Sequence, residues 1–137
     1  MKKALLALSV ALLLGADDAD KDYKLFEGNW VLVAGQENGK NLEREFMQKC
    51  RLNVKGKEHT VVLNAHAEHA THKFDPAKNP KEMDIKRADG KEFEAIYKLT
   101  EDTFTICLNE KGKPRPKEFS GKEGTDQKLH VWKRAKN

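Results

Sequence analysis

Apolar and polar residues alternate along most of this chain in short runs, and turn residues separate the runs. Cys50-Arg51-Leu52-Asn53-Val54-Lys55 alternates residue by residue, the repeat of a strand with one buried face. Glu82 to Lys86 does the same with Met83 and Ile85. Glu92 to Leu99 sets Phe93, Ala95, Tyr97 and Leu99 on one side, and Thr103 to Leu108 sets Phe104, Ile106 and Leu108 together. Gly28 to Ala34, His59 to Asn64, Ala70 to Asp75 and Leu129 to Arg134 bring the total to about eight strands. Asn38-Gly39, Gly56-Lys57, Asp89-Gly90 and Glu101-Asp102 mark turns between them. Pro76 and Pro80 bracket a loop, because proline cannot donate to a ladder. One short helix is expected over Asn41 to Lys49, where Asn41 can cap and Leu42 and Phe46 share a face. No stretch is long enough for β-α-β units. The pattern predicts an all-β barrel or sandwich; of the two, a single antiparallel up-and-down barrel with the helix covering one end is expected.

Gly28-Asn29-Trp30 opens the first strand. The glycine lets the chain turn sharply or pass close to another backbone, and the indole is large enough to plug one barrel end. The interior of a small barrel is either filled by side chains or holds one small ligand. Trp30, Leu52, Met83, Phe93, Tyr97 and Phe104 are the expected lining.

The N-terminus carries a different signal. Met1-Lys2-Lys3 is followed by an apolar run from Ala4 to Leu14 and then Gly15-Ala16, the order of a secretory signal peptide. The run is about half the roughly twenty residues that span a bilayer. Ala16 stands where a lipoprotein would carry its acylated cysteine, so no stable membrane anchor is expected. The chain divides into a signal peptide at 1–16, a flexible leader at 17–24 and a barrel at 25–137, and the product is expected to be periplasmic or secreted.

Lys+Arg is 26 against Asp+Glu 22, and loss of Lys2 and Lys3 with the signal leaves a small excess. The two signs are interspersed, whereas nucleic-acid binders concentrate basic residues on one face. Nucleic acid is therefore not an expected partner. Two cysteines in an exported chain invite a disulfide. Strand parity turns Cys50 inward and Cys107 outward, which argues against one.

Gly28-Asn29-Trp30, with Arg134 on the last strand to pack across the indole, resembles the G-x-W signature of lipocalins. The run Phe74-Asp75-Pro76-Ala77-Lys78-Asn79-Pro80-Lys81-Glu82-Met83-Asp84-Ile85 is similar to a block of the planctomycete-type lipocalin-like domain of unknown function. Ile96-Tyr97, Phe104 to Leu108, Arg115 to Ser120 and Trp132-Lys133-Arg134 resemble its later blocks. The resemblance implies an exported lipocalin-like barrel with a structural pair, Trp30 and Arg134, at its floor. It brings no catalytic residues and no cofactor.

Candidate chemistry is sparse. His66, His69 and His72 recur at a fixed spacing, and histidine is the commonest metal ligand. On one strand that spacing alternates faces, so exposed histidines near a turn are the ordinary alternative. Ser9 and Ser120 are the only serines, and no G-x-S-x-G exists. Glu92 and Glu94 share a face as ordinary solvated carboxylates. Lys111, Lys113, Arg115 and Lys117 form a basic loop diluted by Glu110 and Glu118. The leading expectation is a non-enzymatic binding protein without a cofactor, holding a small apolar ligand. The alternative is an interaction or inhibitor module with a filled barrel, acting on a protein partner through its loops.

Overall fold

The computed structural model describes residues 18–136. Nine strands follow a helix at residues 18–26 (α1): β1 Gly28–Glu37, β2 Lys40–Asn41, β3 Arg51–Lys55, β4 Glu58–Leu63, β5 His66–Asp75, β6 Lys81–Arg87, β7 Glu92–Leu99, β8 Thr103–Glu110 and β9 Lys128–Arg134. A single turn of helix, α2 Arg44–Met47, lies between β2 and β3. Every neighbouring pair is antiparallel, and β9 pairs back onto β1, so β1 and β3 to β9 form a closed eight-stranded barrel. The small β2 is a hairpin flap on β1. Closure removes the sheet edges and leaves every strand with two partners.

The alternation read from the sequence sets the inner face. Leu52 and Val54, Ala70 and Phe74, Met83 and Ile85, Phe104 and Ile106 are buried, with exposed or half-buried residues between them. Cys50 and Cys107 are both buried and unbridged. Cys107 faces outward, where residues 111–127 fold over it and its thiol donates to the Ser120 carbonyl at 3.4 Å.

Three sequence expectations change. The leader expected at 17–24 is helical from residue 18, and its last turns close one end of the barrel. Phe26 is buried among Trp30, Phe74 and Phe104, Tyr23 donates no proton but accepts one at its hydroxyl from Phe74 N–H, and Asp22 is buried against Tyr97. Tyr23 therefore packs against the core rather than lying in a flexible leader. The helix expected over Asn41 to Lys49 shrinks to Arg44–Met47, and Asn41 lies in β2 instead of capping it. Strand β5 begins at His66, ahead of the Ala70 start read from the pattern, so His66 to His69 are part of the wall. The export leader assigned to residues 1–16 lies outside the described residues.

The floor explains the G-x-W motif. Trp30 is fully buried and its indole N–H donates to the Phe26 carbonyl at 2.9 Å. Arg134 lies 4.3 Å from the indole ring and donates to the carbonyls of Glu101, Glu27 and Leu25 at 2.7, 2.6 and 2.5 Å. One guanidinium thus ties the β7–β8 turn to the end of α1 while covering the plug. Gly28 has φ +123, and a β-carbon there would sit 2.8 Å from Arg134 Nη1. The glycine is required twice, for its backbone and for the room it leaves the arginine.

Candidate functional site

Above the floor the barrel is not filled. A cavity of about 330 Å³ opens toward the end where β1, β4, β6 and β8 finish. Leu52, Val61, Ala70, Met83, Ile85, Ile106 and Trp132 form its wall, and Phe26 and Phe104 its base. Phe46 of α2 stands at the mouth with Leu63, Phe93 and Leu108, so the short helix partly covers the opening. Of the six expected lining residues, Leu52, Met83, Phe93 and Phe104 touch this space. Trp30 and Tyr97 do not. They are packed solidly below it, and Tyr97 donates its hydroxyl to Asp22 at 2.5 Å. That carboxylate and burial push the Tyr97 phenol far above its ordinary pKa, and Lys81 completes the cluster at 3.2 Å from Asp22.

Polar groups enter the cavity at two places. Arg87 and Glu68 pair at 3.2 Å on one side, with Arg87 also bound to Asp89 and lying 5.8 Å from the Phe93 ring. Glu37 and His130 pair on the other side at 2.8 Å. A β-bulge creates the second pair. Leu32 opposes Trp132, but Ala34 opposes Val131, so Val33 is an extra residue. The bulge reverses the parity of β1, and Gly35 and Glu37 face inward where Gln36 would have. A β-carbon on Gly35 would clash with Leu42 and the Leu129 carbonyl, so this glycine lets the flap close on the barrel. The hydrogen bond from His130 holds the Glu37 carboxyl below its usual range, against the effect of burial.

The three histidines do not converge. His66 is exposed and pairs with Glu68, His69 points outward to the Thr60 hydroxyl, and His72 is buried inside. Strand alternation separates His69 from the other two, and no group of three potential ligands forms among the described residues. His72 instead meets His59 of the neighbouring strand, Nδ1 to Nδ1 at 2.9 Å. Burial lowers both imidazoles to a pKa of about 4.

Sequence reasoning missed Glu37 and His130. His130 shares parity with Trp132, so its inward direction was readable. Glu37 was not, because nothing in Val31-Leu32-Val33 marks the bulge. Three of the four cations of the basic loop are paired, and Lys117 is exposed. Arg115 is held by Asp84, Glu94 and the Met83 and Ala95 carbonyls, Lys113 pairs with Asp126 and Lys111 with Glu92. A second hollow, of about 630 Å³, lies against the outer face of β3 to β6 between Lys55, Glu58, Thr71 and Lys86. It is more open to solvent than the barrel cavity, and most of its lining side chains are charged or polar. Comparison with family models and with curated proteins returns no match, so function is read from geometry.

Proposed function

We propose that this chain is an exported, lipocalin-like binding protein, of the planctomycete-type domain it resembles, that holds a small apolar molecule in the barrel. The observation that carries the reading is the cavity itself, about 330 Å³ and walled by aliphatic and aromatic side chains. That volume is at the lower end of the roughly 300–1,000 Å³ typical of small-molecule pockets. A short apolar chain or a one- or two-ring compound matches it better than a large polycycle. The positive, apolar, small-residue order of Met1 to Ala16 supports export. No group within the cavity is arranged as nucleophile and base, which favours binding over catalysis among the described residues.

The alternative, an interaction module with a filled barrel, loses support on both counts. The barrel retains space, and three of the four basic residues of the 111–117 loop, Lys111, Lys113 and Arg115, are committed to neighbouring carboxylates. Native mass spectrometry of the protein purified from its own envelope tests the proposal, and a co-purifying small mass is expected. Ala70→Phe, which directs a ring into the open space, should abolish that mass while the barrel still folds. Retention of the same mass by this variant would place the ligand elsewhere.

A further inference from the structure

We propose that Glu37 and His130 form the polar anchor of the cavity and select apolar ligands that carry a hydrogen-bond donor, an alcohol or phenol, over carboxylates of the same size. This rests on the cavity reading above. The pair is built into the fold: the bulge at Val33 aims Glu37 inward and sets Gly35 opposite His130. His130 Nε2 lies 2.8 Å from Glu37 Oε2, and the residue is buried.

The chemistry fixes which nitrogen does what. An ionised carboxylate only accepts, so at a pH where the imidazole is neutral its one proton sits on Nε2 and points at Glu37. Nδ1 is then left with a lone pair. It has no partner among the described residues, and no sealed-off side-chain nitrogen or oxygen is left unpartnered among them. Nδ1 therefore borders open space, and the open space beside His130 is the cavity. A ligand hydroxyl or phenol supplies the proton that this lone pair accepts. A plain hydrocarbon displaces water from Nδ1 and gives nothing back, which penalises binding.

The rest of the lining gives a carboxylate no net attraction. Its charged members are Glu37, Glu68, Arg87 and Lys128, which balance. Arg87 is already committed to Glu68 and Asp89. A carboxylate placed at His130 would meet an acceptor on Nδ1 and the Glu37 charge just behind it.

The test uses three probes of one ring system: naphthol, naphthalene and naphthoate, titrated calorimetrically into the purified protein at mildly alkaline pH. Naphthol should bind about 5- to 10-fold more tightly than naphthalene, the worth of one buried hydrogen bond, and naphthoate should bind least. His130→Phe should erase the naphthol advantage and keep naphthalene binding, which shows in the same titration that the variant is folded. Nitrogen NMR of the wild-type imidazole supplies a readout independent of any variant and should find the Nε2–H tautomer. Equal affinity for naphthol and naphthalene, naphthoate binding tightest, or an Nδ1–H tautomer each overturns the inference and leaves the cavity reading standing. Failure of all three probes to bind overturns the cavity reading and this inference together.

Discussion

Acid should loosen the barrel through His59 and His72. The His72 Nε2–H donates to the Gly56 carbonyl at 3.1 Å, which leaves His72 Nδ1 to accept from His59 Nδ1–H. The pair is packed against Tyr23, Phe26 and Phe74, the contacts by which α1 closes the floor. Both imidazoles have a folded-state pKa of about 4 against an ordinary value of 6.5. A depressed histidine pKa means that the unfolded chain binds more protons in between. The stability that neutral histidines lend is therefore complete above pH 6.5 and declines as pH falls toward 4. At a pH of about 4.5 each imidazole costs about 2–3 kcal/mol. The joint loss is below twice that figure, because part of the His72 shift is repulsion from a charged His59 and is absent while His59 is neutral. A second proton on the folded pair would set one N–H against another. Urea denaturation of the wild type at several pH values across this window should show a loss of about 3–5 kcal/mol. The double variant His59→Leu/His72→Phe removes both partners together and should be much flatter over the same window. Glu37, Asp89 and Glu110 have lowered carboxyl pKa values, so their contribution to acid sensitivity begins at lower pH and is common to both proteins. Parallel stability curves for wild type and double variant would refute the argument.

Four further substitutions at three positions probe the floor. Trp30→Ala should cost about 3–5 kcal/mol in urea denaturation, and Trp30→Phe about 1–3 kcal/mol because the buried Phe26 carbonyl loses its donor; a near-neutral Trp30→Ala would mean that the indole is no plug. Gly28→Ala places a β-carbon against Arg134 at a left-handed φ, and should lower the melting temperature more than an Ala substitution at the solvent-exposed Gly90. Tyr97→Phe removes the donor to the buried Asp22 carboxylate and leaves it only Lys81. It should destabilise by about 1–3 kcal/mol, and release of α1 should appear as faster proteolysis ahead of Gly28.

Much of this protein was legible without coordinates, because period-two alternation is a local property and a strand with one buried face must display it. Leu52 and Val54, Met83 and Ile85, Phe104 and Ile106 were placed on the buried face on that basis. Parity also cautioned against grouping His66, His69 and His72 as one metal site. What only the tertiary structure decided depends on residues far apart in sequence. The charged stretch before Leu25 reads as a tether, yet it is helical because Tyr97, Lys81 and Phe74 offer Asp22 and Tyr23 partners. Glu37 reads as an outward residue and faces the cavity because one unpaired residue, Val33, shifts the register of β1 against β9. Trp30 and Tyr97 are core and not lining, because occupied volume is a sum over the whole barrel that no single strand contains. The fold follows from repeating local chemistry; the cavity and its Glu37–His130 anchor follow from one bulge and from how the side chains of all the strands add up.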